Sequence, residues 1–120
     1  MATLTPTLTL ASTDLTSETL NLSVTDSLTI SKAVQFKRIA TSTTSTSFAA
    51  AADYTKSYVY LKNTSSNSSE IITIEKADSG DEYMFLGAGE FAFFPWASSV
   101  ALFADSASGT PVLEVAIFEA

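Results

Sequence analysis

Apolar and polar side chains alternate along several short stretches of this chain, and this alternation constrains the fold more than any other feature. A period of two places successive side chains on opposite faces of a β-strand. Such stretches, separated by turn residues at intervals of roughly 8–12 residues, are typical of sandwiches and barrels. The sequence therefore predicts an all-β fold, an antiparallel β-sandwich or jelly-roll-like barrel. Strands are predicted over 57–63, 70–76, 83–86, 90–96, 99–105 and 112–120.

The N-terminal third has a different composition, since its apolar residues are aliphatic and are set among threonines and serines. TLTLASTD (7–14) aligns with TLNLSVTD (19–26), with five of eight positions identical. An old strand duplication and chance in a Thr/Leu-biased stretch both explain this repeat. We predict a Thr/Ser-rich arm or strand ladder over 1–47 and a β-sandwich domain over 48–120. Residues expected to contact a partner along this arm are Leu8, Leu10, Leu20 and Leu22.

One stretch interrupts the strand pattern. SFAAAAD (47–53) follows a low-complexity loop, TSTTSTS (41–47), and has the composition of a helix. Alanine has the highest intrinsic helix propensity of all residues. We therefore predict one or two helical turns over 47–53.

Aromatic residues are concentrated in GAGEFAFFPW (87–96). The glycines predict a hairpin turn, and the following strand places Phe91 and Phe93 on one face with Phe94 on the other. Pro95 indicates that this strand ends there or lies at a sheet edge. Two interpretations remain open, an aromatic platform for a sugar and a strand packed on both faces, and we favour packing. The predicted partner-contacting residues here are Phe91, Phe93, Phe94 and Trp96.

The charge balance argues against two classes of partner. Six Lys and Arg residues stand against thirteen Asp and Glu residues, giving a formal net charge of −7. A nucleic-acid binder needs clustered cations, and the densest basic stretch, Lys32 to Arg38, holds only three. The same charge disfavours an anionic membrane surface. We expect neither nucleic acid nor a membrane as a partner.

Candidate chemistry is limited, because the chain has no cysteine and no histidine. Thiolate nucleophiles, zinc sites of the usual kind and neutral-pH histidine catalysis are thereby excluded. Carboxylates in the turn at Asp78, Asp81 and Glu82 lack EF-hand spacing for calcium. Glu90 and Glu114 are a possible acid–base pair, but nothing in the sequence places them together. We predict no catalytic residue, no metal site and no cofactor, and hence no enzyme.

Four stretches give the chain a family resemblance: MATLTPTLTLASTD (1–14), YVYLKNTSS (58–66), GAGEFAFFPW (87–96) and GTPVLEVAIFEA (109–120). In these stretches the chain resembles small virion structural proteins of tailed bacteriophages, especially marine and cyanobacterial ones. Some proteins of that kind are head decoration (cement) proteins, and others belong to tails or fibres. The resemblance carries over no functional residue.

The expectation that follows is a non-enzymatic capsid decoration protein that stabilises the phage head through β-sheet and apolar contacts. Its partners would be the major capsid protein or other virion subunits, and it would form a homo-oligomer, with a trimer favoured. We expect it on the capsid surface of the virion, after assembly in the host cytoplasm. The alternative is a tail or fibre component that binds host glycan through exposed aromatic side chains or Trp96.

Overall fold

A computed structural model describes residues 1–15, 17–32, 35–51, 56–76, 81–97 and 99–120. Within these ranges the regular secondary structure consists of β-strands alone. The chain divides into two compact units, Met1–Ser31 and Lys32–Ala120. The strands of the first unit are β1 (Ala2–Leu4), β2 (Thr7–Ser12), β3 (Leu20–Thr25) and β4 (Leu28–Ile30). Those of the second are β5 (Gln35–Ala40), β6 (Thr46–Ala49), β7 (Lys56–Asn63), β8 (Ile72–Glu75), β9 (Glu82–Leu86), β10 (Phe91–Ala97), β11 (Leu102–Ser106) and β12 (Val112–Glu119).

The first unit is one long β-hairpin folded from residues 2–30, here called the N-terminal hairpin. β2 pairs antiparallel with β3, so that Leu10 lies opposite Leu22, and β1 pairs antiparallel with β4 in the same register. At the break between the two ladders, the Asp26 N–H donates to the Pro6 carbonyl at 3.1 Å. The two similar octapeptides of the sequence are therefore the two sides of one hairpin.

The second unit begins earlier than the boundary predicted between residues 47 and 48. β5 and β6 lie before that point, and both belong to the sheets of the second unit. β5 pairs with β12, and β6 pairs with β11. These pairings join residues far apart in the chain, which local composition cannot reveal. The segment before the second unit is a paired hairpin of about thirty residues, whereas the predicted arm or strand ladder extends to residue 47.

Two four-stranded antiparallel sheets make up the second unit, which confirms the predicted all-β antiparallel sandwich. The first sheet has the strand order β10-β7-β12-β5, and the second has the order β6-β11-β8-β9. The pairings are nested: β8 pairs with β9, β7 with β10, β6 with β11 and β5 with β12. β10 is an edge strand, as Pro95 indicated, because proline cannot donate a hydrogen bond to a neighbouring strand.

The core lies between the inward faces of the two sheets. From the first sheet it takes alternate residues of β7 and β12, and from the second it takes alternate residues of β8 and β11. Full burial of one such aliphatic side chain stabilises the fold by about 1.5–3 kcal/mol. The side chains with almost no exposure are Val59, Leu61, Ile72, Ile74, Leu102, Leu113, Val115 and Ile117.

Two turns carry the chain from one sheet to the other, and the sequence predicts the second of them as a hairpin turn. Residues 63–71 lead from β7 in the first sheet to β8 in the second, and residues 87–90 lead back from β9 to β10. Gly89 has a φ of 77° in this second turn, a conformation that glycine adopts without strain. The strands that flank these two turns were predicted, whereas the change of sheet at each turn was not.

Asn63 holds both crossings together at the end of β7. Its buried side-chain Nδ2 donates to the Glu70 carbonyl at 2.8 Å and to the Leu86 carbonyl at 2.9 Å. Its Oδ1 accepts from the Ser65 N–H at 3.0 Å. Its main chain bonds the 87–90 turn, through Glu90 and Gly89. A polar side chain is stable in this interior position because its hydrogen-bonding capacity is used.

The helical turns predicted over 47–53 are wrong where the structure describes them. Residues 47–49 belong to β6, and Phe48 and Ala49 are buried in the sandwich. Positions 52 and 53 lie outside the described residues. Pairing with β11 and burial of Phe48 outweigh the modest helix propensity of a short alanine run.

Candidate interaction surfaces

The outward face of the first sheet carries a group of aromatic side chains, here called the aromatic face. The strand register sets Phe93, Tyr60 and Phe36 in one row across the sheet, and Tyr58 and Phe118 in the next. Phe91 extends the surface along β10, next to Lys62. Phe36 is 76% exposed and Phe91 is 64% exposed. The aromatic face comprises Phe36, Tyr58, Tyr60, Phe91, Phe93 and Phe118.

The rings of the aromatic face support one another. Tyr58 and Phe93 stack with ring centroids 6.1 Å apart, and Phe36 and Phe118 meet edge to face at 6.2 Å. Aromatic pairs in these geometries stabilise by about 0.5–1.5 kcal/mol beyond area burial. These contacts hold the rings in place, so the side chains of the aromatic face would lose little conformational entropy on binding a partner.

Positive charge accompanies these rings. Outward positions of the four strands carry three cations, Lys56, Lys62 and Arg38, against one carboxylate, Glu114. The Lys56 ammonium lies 5.4 Å from the Tyr58 ring centroid, and the Arg38 guanidinium pairs with Glu114 at 3.0 Å. This local excess of positive charge occurs on a chain whose formal net charge is −7.

Tyr60 and Glu114 meet at the centre of the aromatic face. The Tyr60 hydroxyl donates to Glu114 Oε1 at 3.3 Å. Burial raises the pKa of Tyr60, and the neighbouring Glu114 carboxylate raises it further. The tyrosine therefore stays neutral and a hydrogen-bond donor across the usual pH range. A shallow depression, lined in part by Phe36, Tyr60 and Ala116, surrounds this pair.

One face of the N-terminal hairpin is aliphatic along β2 and β3 except at Ser12, and we call it the leucine face. Leu8 lies opposite Val24, Leu10 opposite Leu22, and Leu20 opposite Ser12. Leu10 is 48% exposed, and Leu8, Leu22 and Val24 are similarly exposed. The other face carries polar pairs such as Thr7 and Thr25, whose hydroxyls lie 3.3 Å apart. The leucine face comprises Leu8, Leu10, Leu20, Leu22 and Val24.

The outward face of the second sheet combines exposed aromatics with carboxylates. Tyr83 and Phe85 are exposed on β9. Glu75 is buried, and the Ser45 hydroxyl donates to its Oε1 at 3.4 Å. Burial raises the pKa of Glu75, and the nearby Asp105 carboxyl and Glu82 raise it further. The second sheet therefore carries the carboxyls of Asp105 and Glu82 beside the buried Glu75.

The structure separates the predicted partner-contacting residues into two groups. Leu8, Leu10, Leu22, Phe91 and Phe93 are exposed, and Leu20 is partly exposed. Phe94 is packed against the core, and Trp96 is 5% exposed, with its Nε1 donating to the Val100 carbonyl at 3.0 Å.

Phe94 and Trp96 differ from the other predicted partner-contacting residues, because they pack towards the core of the sandwich. Both occupy inward positions of β10, because side chains alternate between the two faces of a strand. The same placement removes Trp96 as a sugar platform.

Several surface aromatics escaped the sequence prediction. Phe36 lies outside any predicted strand. Phe118 lies in the strand predicted over 112–120, and Phe85 lies in the strand predicted over 83–86. The signal for Phe118 and Phe85 was present in the alternation, but the alternation does not say which face meets the core. The pairing of β5 with β12 brings Phe36 to the aromatic face, and this pairing has no local signal.

The carboxylates considered for chemistry have separate partners. The Gly87 N–H donates to the Glu90 carboxylate, whereas Glu114 pairs with Arg38. Asp81 pairs with Lys76 at 3.0 Å, and Asp78 lies outside the described residues. Among the residues that the structure describes, no group of three or more candidate ligands could hold a metal ion. The described part of the chain also has no helix long and apolar enough to cross a membrane.

The fold and surfaces define a class: an antiparallel β-sandwich with an aromatic sheet face and an amphipathic N-terminal hairpin. Comparison of the chain with protein-family models, with curated proteins and with solved structures finds no match in any of the three. Function must therefore be argued from the surfaces themselves.

Proposed function

We propose that this protein is a non-enzymatic structural component of a virion, a decoration or cement protein that stabilises a phage head by binding its other subunits. The observation that carries the proposal is the aromatic face. A patch of this kind is unusual on a monomeric soluble protein and marks an interaction site. Tyr, Phe and Arg are also enriched at protein interfaces.

The strand topology supports the proposal of a virion structural protein. The nested pairing of eight strands in two four-stranded sheets supports a jelly-roll arrangement, and jelly rolls occur in viral capsid and lectin domains. Folds do not by themselves specify functions. The virion setting therefore depends on the sequence resemblance, while the binding role depends on the surfaces.

The mechanism is burial of preformed surface. The aromatic face consists of rigid rings, and the leucine face consists of aliphatic side chains. Both would be covered in an assembled particle. Apolar burial stabilises by about 25 cal/mol per Å². Many identical copies on one shell would multiply a modest contact through avidity. Partners would be the major capsid protein, other virion subunits and further copies of this chain.

A second candidate is a tail or fibre module that binds host glycan. The exposed rings Phe91 and Phe93 favour it, because aromatic faces can stack on sugars. The stacking of Phe93 on Tyr58 weighs against it, since each ring then covers part of the other. We therefore rank adhesion below decoration.

Particles assembled with variant protein test the proposal. We expect Phe36→Gln with Phe91→Gln to lower occupancy on the head and to reduce heat resistance of the particles. Phe85→Gln, which changes an equally exposed phenylalanine on the second sheet, is the matched control and should leave both properties unchanged. Occupancy is read from a density map of the particle, and heat resistance from the temperature of genome release.

Two results would contradict decoration. One is absence of the protein from the head in the density map. The other is full occupancy and heat resistance in the double variant together with reduced adsorption to host cells, which would favour the glycan-binding alternative.

A further inference from the structure

We propose that the N-terminal hairpin of one copy docks, through its leucine face, on the aromatic face of a second copy. This inference deepens the proposed function, because it names the partner of both surfaces. It uses the same surfaces as the proposed function, but it is testable without particles. A contact between two different surfaces is heterologous, so it closes into a ring when the rotation between copies permits.

The first argument is that both surfaces expose apolar side chains. An isolated two-stranded hairpin is marginally stable in water, and a hydrophobic face needs another element to cover it. The leucine face has four side chains with about half of their surface or more exposed. The aromatic face is likewise exposed, with Phe36 at 76%. Both are exposed in one chain, so each is open to a second copy.

The second argument is charge complementarity. The ionisable side chains of the hairpin unit are all acidic, namely Asp14, Glu18 and Asp26, and the first lysine is Lys32. The aromatic face carries three cations against one carboxylate. Docking the hairpin there places acidic side chains near basic ones, which favours the correct partner and orientation.

The same charges disfavour the other pairings. Two hairpins packed together would bring like negative charges together, and two aromatic faces would bring together like positive charges. The hairpin on the second sheet would meet the carboxylates of Asp105 and Glu82, which lie near the buried Glu75. A second copy has three such surfaces: its hairpin, its aromatic face and its second sheet. Of these, the aromatic face alone has a charge opposite in sign to that of the hairpin.

The geometry is that of a third layer on the sandwich. Packed sheets lie about 10 Å apart, and side chains on one face of a strand repeat about every 6.8 Å. The leucine face is two strands wide, and the aromatic face is four strands wide. Leu10 and Leu22 lie directly opposite each other near the middle of the β2–β3 ladder, so they would form the centre of the contact.

Complementation between two defective full-length variants tests this arrangement. The hairpin variant is Leu10→Gln with Leu22→Gln, and the face variant is Phe36→Gln with Phe91→Gln. Each is expected to sediment as a monomer, because each lacks one of the two mating surfaces. Their equimolar mixture is expected to form a heterodimer of about twice the 12.7 kDa chain mass, because one intact hairpin meets one intact face.

The matched control is Thr9→Gln with Ser23→Gln, which changes a facing pair on the opposite side of the same hairpin. This control should self-associate like the wild type, and circular dichroism should show equal strand content in all variants. If the face variant loses strand signal, Lys62→Glu replaces it. We then expect a dissociation constant for self-association about fivefold higher than that of the wild type, or more.

Three results would overturn the inference. They are a wild type that remains monomeric at about 100 µM, a mixture that forms no heterodimer, and a face variant that still self-associates as the wild type does. The last result would indicate hairpin-to-hairpin contact. If the mixture forms no heterodimer but the wild-type protein occupies the phage head normally, docking of the N-terminal hairpin is rejected and the decoration role is not.

Discussion

The N-terminal hairpin and the sandwich share the same alternation of apolar and polar residues, but they differ in how far the apolar side chains are buried. In the sandwich, Leu61 on β7 is 0% exposed, because a second sheet covers the inward face. In the hairpin, Leu10 on β2 is 48% exposed, although its neighbours alternate just as regularly. Alternation determines which side chains share a face, but burial of that face requires a second layer. β2 and β3 therefore have the pattern of core strands, although their leucine face is largely exposed.

The largest expected effect comes from making the same truncation in both regions. Leu61→Ala removes a fully buried side chain and should lower the free energy of unfolding by about 2–5 kcal/mol. Leu10→Ala should lower it by less than about 1 kcal/mol in dilute solution, since its side chain is already half exposed. Urea denaturation of the two variants measures the difference. Equal losses would mean that the hairpin is packed as tightly as the sandwich.

Asn63→Ala should rank second and affect the sandwich alone. The substitution leaves the Glu70 and Leu86 carbonyls without their side-chain donor, and each buried unsatisfied group costs about 1–3 kcal/mol. We expect a loss of about 2–4 kcal/mol in the free energy of unfolding. Asn67→Ala, in the same connection but exposed, is the control and should cost about 1 kcal/mol or less. A small effect of Asn63→Ala would show that these crossings are held by other contacts.

Glu75 gives the sandwich a pH dependence. Because its pKa in the folded state is raised above the ordinary value of 4.5, the protonated form is favoured by folding. Its contribution to stability is fully present below the unfolded pKa and is lost as the pH rises through the folded pKa. Glu75→Gln should therefore stabilise the protein at pH 7 and remove this part of the pH dependence. Thermal unfolding of wild type and variant between pH 4 and 7 measures it, and parallel curves would contradict it.

The smallest effect is expected at the exposed ion pair of the aromatic face. Arg38→Ala breaks the 3.0 Å contact with Glu114, but the arginine side chain is 72% exposed. Solvent screens such pairs, and a loss of about 0.2–1 kcal/mol is expected. Raising the salt concentration should shrink the difference between wild type and variant in urea denaturation. A loss above about 2 kcal/mol would mean that the pair is more deeply packed than its exposure indicates.

The sequence predicted the strands from residue 57 onward well, because alternation and turn residues are local signals. It could not predict β5 or β6, because QFKRIA has a weak alternation and TSFA precedes an alanine run. Both strands exist through pairing with β12 and β11, far along the chain. The candidate surface was half predictable for the same reason. The segregation of Phe91 and Phe93 from Phe94 follows from the period of two, whereas Phe36 reaches that surface only through long-range pairing.

The nested pairing of the sandwich has a consequence for the order of folding. β8 and β9 join residues close in the chain, such as Ile72 and Leu86, whereas β5 and β12 join Ala40 with Val112. Closing short loops costs less chain entropy than closing long ones, so we expect zippering from the β8–β9 end outward. β5 is then among the last strands to dock, and it brings Phe36 with it. Newly made chains would therefore complete the aromatic face only at the end of folding, when β5 pairs with β12.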